Sequence, residues 1–285
     1  MSRDFKIVDV FSATPLKGNP VAVVLDADGL NTTQMQAIAG WTNLSETTFL
    51  LPPTQPGATY KLRIFSPRNE LDFAGHPTLG SAFAALEAKR IFPTDGKIIQ
   101  ECGVGLVTLH VEDTHLSLTL PEPKLKAVTE ETISEIEAIL GHSVSTTASP
   151  VTVNTGIIWL VAYIPDAKDV LNIKPNLERL TDLSHKLNVT GVTIFGDKEH
   201  SGEIEVRTFA PVCGIEEDPV CGSGNGSVAA FRQHYKLLEK QKTTYIASQG
   251  QKVGRNGKIT VNYSEDGQIS IGGSCITTVD GKLNI

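Results

Sequence analysis

The chain has few thiols and no arrangement that would put them to work together. Its four cysteines, Cys102, Cys213, Cys221 and Cys275, are widely spaced with no C-x-x-C pair, so neither a zinc motif nor a disulfide framework is indicated. Nowhere are there 18 consecutive apolar residues, and no transmembrane span is expected. Lysine and arginine form no cluster and the formal net charge is −7, which argues against nucleic acid or an anionic membrane as partner. The opening MSRDFKIVDVF lacks the apolar core and small-residue cleavage site of a signal peptide. It reads as a strand, and a cytoplasmic location is expected.

What remains is an ordinary globular composition. Of 285 residues, 40% are apolar and 20% charged, enough for two domains of usual size with substantial cores. Lys6 to Val10 alternates as a half-buried strand, TPLKGNP breaks the chain, and VAVVL (21–25) reads as a buried strand. TTQMQAIAGWTNL puts Met35, Ile38 and Ala39 on one helical face, with Thr32 or Thr33 as N-cap. Glu46 stands where that helix hands over to the strand TTFLL, and TYKLRIFSP is the next strand.

The stretch DFAGHPTLGSAFAAL follows, with Gly75 turning the chain and a helix expected from Pro77 to Lys89. Residues 97–120 read as short strands and PEPKLK as a link. TEETISEIEAILG is a helix with acidic residues in its first turn, ended by Gly141. VTVNTGIIWLVAYI, LERLTDLSHKLNV, VTIFG and IEVRTFAP then repeat the earlier order of strands and helix. Near the C-terminus, Asn256-Gly257 and Asp266-Gly267 read as hairpin turns.

This is an internal repeat that occurs twice. RIFSP (63–67) matches RTFAP (207–211), and AGH (74–76) before a small-residue helix matches CGS (221–223) before another. Two homologous α/β lobes facing a cleft are expected, 1–120 and 121–275, with 276–285 returning to complete the first. Two glycine-led helix starts would form an anion clamp from unpaired N–H groups and helix dipoles, with a substrate carboxylate as guest; alternatively both turns only tighten strand-to-helix connections.

Glu46 has no acidic counterpart in the second lobe, where Gly191 takes about the same place. A lone acid beside a duplicated clamp suggests one general acid/base, its pKa raised by desolvation; otherwise it is a solvated glutamate or a helix-end cap. His76 either donates to substrate or caps its own turn. Asp218 stabilises the turn before the second helix or serves the site, Ser223 is an N-cap, a substrate contact or both, and Cys221 is a packed residue or a reactive thiol.

SETTFL with Glu46, DFAGHPTLG with His76, EEDPVCGS with Asp218, Gly222 and Ser223, and GNPVAVV at 18–24 resemble, block by block, the PhzF family of phenazine-biosynthesis-like isomerases. The resemblance spans nearly the whole chain. It implies the diaminopimelate-epimerase fold, an α+β architecture of two pseudo-symmetric lobes, each a mixed sheet wrapped as a half-open barrel around a central helix, and a homodimer. It also implies that Glu46 shuttles a proton with His76, Asp218 and Ser223 around the substrate, that Gly75 and Gly222 line the pocket, and that no cofactor or metal takes part.

The chain departs from two related patterns. Epimerases with two cysteines need a thiol in each lobe, and here Ala74 faces Cys221 in the repeat. Cys221 also replaces the threonine common in PhzF-like sequences, and GNG follows where small residues such as alanine are frequent. The expected function is a cofactor-independent isomerase or epimerase acting on a small carboxylate. The alternatives are a catalytically idle binder of such molecules, or a nucleotide-binding oxidoreductase suggested by GSGNGS. The latter is weakened because EEDPV is not a buried strand and the glycine spacing departs from GxGxxG.

Overall fold

The computed structural model describes residues 2–238 and 243–285. The chain divides into two compact units, Met1–Thr119 with Gly272–Ile285, and Leu120–Ile271. In the first, β1 (Ser2–Val10), β2 (Asn19–Val24), α1 (Thr32–Thr42), β3 (Thr47–Leu51), β4 (Tyr60–Phe65), β5 (Glu70–Leu71), α2 (Gly75–Glu87), β6 (Lys97–Cys102), β7 (Gly105–Glu112) and β8 (His115–Thr119) follow one another. The second holds β9 (Lys124–Ala127), α3 (Glu130–Leu140), β10 (Val151–Asn154), β11 (Ile158–Asp166), α4 (Ala167–Asn172), α5 (Leu177–Leu187), β12 (Gly191–Asp197), β13 (Ile204–Ala210), β14 (Ile215–Asp218), α6 (Gly222–His234), β15 (Thr244–Gln249) and β16 (Gly257–Tyr263). The last strand, β17 (Ile269–Asn284), begins in the second unit and belongs to the first from Gly272 onward.

The repeat is visible in strand direction. From β1 to β2, β3, β4, β6 and β7 the pairings alternate antiparallel, parallel, antiparallel, parallel, antiparallel. From β10 to β11, β12, β13, β15 and β16 the same alternation recurs. Each parallel step needs a crossover, which α1, α2, α4–α5 and α6 supply. In the first unit β7 pairs with β8, β8 with β17, and β17 with β1, so eight strands close into a barrel.

Each unit's central helix is buried around almost its whole circumference, which is why both are built from small residues. A Cβ on Gly80 of α2 would come within 2.5 Å of a Val21 methyl and 2.7 Å of a Val10 methyl. Ser81 Oγ meets Thr48 Oγ1 at 2.7 Å, and Thr78 is joined through Gln100 to the Tyr60 hydroxyl. In α6, Gly224 lets Thr208 and Thr193 approach and Gly226 makes room for Leu120. Gly224 and Gly226 of GSGNGS are therefore explained by packing, and the strand before this run, β14, is a half-exposed antiparallel partner of β13.

The outer sheet faces carry the other helices. Met35, Ile38 and Ala39 of α1 pack with Val24, Phe49 and Phe65. In the second unit Ile136, Ile139, Leu180 and Leu183 cover Leu160, Ala162, Val192, Ile194 and Phe209. Strand alternation does the sorting: in β11 the even-numbered residues face these helices, while Trp159 faces α6.

Several local expectations need correction. The N-cap of α1 is Asn31, not Thr32 or Thr33, because Gln34 completes a capping box with it. Helix α2 starts two residues before Pro77 and ends at Glu87. Gly75 needs no special conformation, since its φ lies outside the left-handed region. PEPKLK contains β9, paired with β10. Asp266-Gly267 does form a hairpin turn, with Gly267 at φ 83°, but Gly257 lies inside β16, where a Cβ would strike Val220.

One buried carboxylate fixes a loop by charge. Glu101 of β6 accepts hydrogen bonds from Thr54 N–H (2.6 Å), the Thr54 hydroxyl and Gln55 N–H (2.9 Å), and pairs with Lys61 Nζ at 2.9 Å. These donors, the Thr54 hydroxyl foremost, lower its pKa to about 2 against an ordinary 4.5. A depressed folded-state value means that the stabilisation is complete above the unfolded value and is lost as pH falls toward the folded one. Urea titrations of wild type and Glu101→Gln should therefore differ most at neutral pH and converge as pH drops from 4.5 toward 2.

Candidate active site

Glu46 is delivered by a helix end and a strand start. Helix α1 closes on Asn43 in the left-handed conformation, and the Glu46 carbonyl accepts from Ala22 N–H at 3.3 Å just before β3 begins. The side chain is 16% exposed, and its Oε2 lies 3.3 Å from Nε2 of His76, itself 10% exposed. The two residues singled out in separate sequence blocks thus meet.

His76 is the second residue of α2. Its ring bonds the Pro20 carbonyl, while Nε2 makes no hydrogen bond within the described residues. The proton facing Pro20 is therefore assigned to Nδ1, and the Nε2 lone pair faces Glu46. Burial drives the imidazole pKa down to about 3, so the ring is neutral across the physiological range. The N-cap Ala74 offers no side-chain acceptor to the first turn of α2, and the space above Gly75 where a Cβ would project is open.

In the second unit Asp218 ends β14. Its Oδ1 accepts from Val220 N–H at 3.0 Å and its carboxylate receives the Cys221 thiol. Burial raises its pKa to about 6, against the pull of these two donors and with a small push from Glu217. Cys221 is the N-cap of α6, its Sγ accepting from Gly224 N–H at 3.3 Å. Desolvation, reinforced by Asp218, holds the thiol well above its ordinary pKa, so this is a packed capping residue rather than a reactive thiolate. Gly222 is the first residue of α6 and Ser223 the second, so Ser223 is not the N-cap. Its Oγ accepts from Trp159 Nε1–H at 3.0 Å and stands 3.5 Å from Cys221 Sγ.

Sequence reasoning missed the residues that hold these groups. Gln249 Oε1 accepts from Cys221 N–H (3.1 Å) and Asn225 Nδ2 (2.7 Å), and Gln249 Nε2 donates to the Asp218 carbonyl (2.8 Å). Both Gln249 and Asn225 are buried, and together they clamp the turn between β14 and α6. Asn225 belongs to the unusual GNG, so its signal was in the sequence. Trp159 was also within reach: aligning the repeats places it opposite Val21.

Arg207 is a further case of local support. It forks onto Glu217 (3.0 and 2.8 Å) and donates to the Val170 and Ile173 carbonyls, tying β13 to β14 and to α4. Its repeat counterpart Arg63 grips Glu70 of β5 in the same way (2.7 and 2.6 Å). The strand that precedes each central helix is thus anchored alike. No group of three or more metal-ligating side chains is found among the described residues, and no helix among them is long and apolar enough to cross a membrane.

A Schizosaccharomyces pombe protein named antisense-enhancing sequence 1 is 43% identical, over 98% of both chains. The trans-2,3-dihydro-3-hydroxyanthranilate isomerase of Pseudomonas chlororaphis is 32% identical, over 88% of this chain and 87% of its own. Among solved structures, a PhzF-family phenazine biosynthesis protein of Bacillus anthracis superposes with a TM-score of 0.87 over the whole of both chains at 23% identity, a likeness of fold. The model of phenazine biosynthesis-like proteins matches residues 8–281. The fold is the diaminopimelate-epimerase-like one, and the chain is an isomerase belonging to the PhzC-PhzF family of phenazine biosynthesis-like proteins.

Proposed function

We propose that this isomerase moves a proton between two carbons of a small carboxylate-bearing molecule, with Glu46 as the group that takes and returns it. The approach of Glu46 Oε2 to His76 Nε2 carries the reading. An ionised carboxylate and the lone pair of a neutral imidazole repel each other at that distance. One proton placed on Glu46 turns the contact into an O–H···N hydrogen bond. The pair is therefore a one-proton store: empty, Glu46 is a base; filled, it is an acid held in one orientation by its neighbour.

The chemistry asks for nothing beyond a base that becomes an acid, and a holder for the substrate. Neither role calls on a metal or an organic cofactor. In the first unit we assign the open start of α2 at Gly75 to holding the carboxylate; in the second, taken by itself, the start of α6 at Gly222 and Ser223 are fitted to hold a carboxylate, and Asp218 to give it a polar contact. Helix starts favour anions by about 0.3–2 kcal/mol. The isomerase from Pseudomonas chlororaphis, named for a substrate that is itself a ring carboxylate, supports this substrate class. By family resemblance the working form is a homodimer.

The reading is tested by offering the purified protein trans-2,3-dihydro-3-hydroxyanthranilate and other small unsaturated or α-substituted carboxylates in deuterated water, without added cofactor. For at least one of them, NMR should show an isomer carrying deuterium at the carbon that receives the proton. Tight binding of these compounds with neither isomerisation nor exchange would make the protein an idle binder instead.

A further inference from the structure

The two central helices hold the residue at their second position in opposite ways. Pairing of Ala22 with Thr47 in the first unit matches pairing of Leu160 with Val192 in the second, so Pro20 corresponds to Ile158, Val21 to Trp159, and His76 to Ser223. In the first unit the second strand offers an acceptor: the Pro20 carbonyl takes the His76 ring hydrogen and leaves a bare lone pair on Nε2. In the second unit the same strand offers a donor, the Trp159 indole N–H, to Ser223 Oγ.

We propose that Trp159 is a specificity-determining positioning residue: by occupying an acceptor site of Ser223, it commits the hydroxyl hydrogen to donation and makes the start of α6 select a carboxylate over an uncharged group. The argument is one of inventory. An indole N–H can only donate, so Oγ must accept, and the serine hydrogen must point away from Trp159. The acceptor that the structure places near that hydrogen is Cys221 Sγ at 3.5 Å. Sulfur is a weak acceptor, and it is already occupied by Gly224 N–H. A carboxylate oxygen displaces it readily, and its charge-assisted bond to the serine hydrogen is about twice as strong as one to the neutral carbonyl oxygen of an amide.

Trp159 is 3% exposed, on the face of β11 turned to α6, so the indole is fixed by packing before any ligand arrives. It touches the hydroxyl, not the substrate, and its effect should appear in discrimination.

The inference rests on the proposed function, and the experiment separates the two. The probes are 2-aminobenzoate and 2-aminobenzamide, of nearly the same shape and differing in charge, with affinities measured by calorimetry for wild type, Trp159→Phe and Ser223→Ala. Wild type should favour the carboxylate, and either substitution should reduce that preference about tenfold, the usual worth of one hydrogen bond to a charged group. In 15N-indole spectra, the Trp159 N–H signal should move with 2-aminobenzoate and stay put with the amide. A preference that survives in Trp159→Phe overturns the role of Trp159, whatever Ser223→Ala does; should Trp159→Phe fail to fold, the indole signal decides, and an N–H signal that moves equally with both probes overturns it. If wild type does not favour the carboxylate, the carboxylate-holding reading itself fails.

Discussion

Replacing Glu46 by glutamine should lower kcat by roughly 10²–10⁴-fold, the range for removal of a positioned acid/base, with little change in KM or thermal stability. Glutamine has the shape of glutamate and its amide can still donate to His76 Nε2, so the local contact survives. What it loses is the ability to accept a proton from carbon. Solvent deuterium should likewise vanish from any product. The measurement is steady-state turnover of whichever carboxylate the deuterium screen identifies, with far-UV circular dichroism as the control. A Glu46→Gln enzyme retaining more than a tenth of wild-type kcat would show that another group carries the proton. The neutral state of His76 adds a constraint: its imidazole pKa of about 3 means that no rate change between pH 5 and 8 comes from its titration.

Gly191→Ala should destabilise the second unit by about 3 kcal/mol or more, at the upper end for overpacking, because the obstacle is backbone. A Cβ at this position would lie 2.0 Å from the Phe209 carbonyl oxygen and 3.0 Å from Ala210 Cα. Neither can retreat without breaking the β12–β13 ladder, where Val192 pairs with Phe209. A thermal melt should show a fall of about 10 °C, given 2–4 °C per kcal/mol for a unit of this size. Melting unchanged within 2 °C, roughly half a kcal/mol, would mean that the strands part more easily than their packing indicates. The larger point concerns the asymmetry of the repeat: Gly191 occupies the register position of Glu46, and no side chain fits there. The second copy lacks an acid because its strand pairing begins one residue earlier and leaves no room for one.

That asymmetry was legible in the sequence, but its cause was not. Aligning SETTFL with TGVTIF shows glycine against glutamate; only the carbonyl of Phe209 shows why. The same division runs through the rest. Helices, buried strands and the repeat are encoded locally, by apolar spacing and by blocks such as RIFSP and RTFAP, and so were readable. The N-cap of α1 was misread because Asn31, Thr32 and Thr33 are all good caps, although Gln34 three residues after Asn31 was there to decide. Strand β9 was hidden by the prolines beside it and by its exposed, non-alternating residues. Glu46 and His76 were each nominated separately, and their meeting depends on α1 ending at Asn43 and α2 beginning at Gly75. The Trp159–Ser223 and Gln249–Cys221 bonds join residues far apart in the chain, and no short pattern announces them.

The closure of the first barrel by β17 has a consequence for how the protein is made. Its eighth wall consists of residues from Gly272 on, secured by Asp280 on Lys6 Nζ (2.7 Å) and by Lys282 on Asp4. During synthesis β1 and β8 would wait as open edges while the whole second unit is translated. Closing the ring then means joining residues as far apart as Lys6 and Asp280, 274 positions along the chain, a contact costly in loop entropy. The unit that carries Glu46 and His76 is therefore closed only after the second unit has been translated, and a chain that stops before β17 holds this pair in an open barrel.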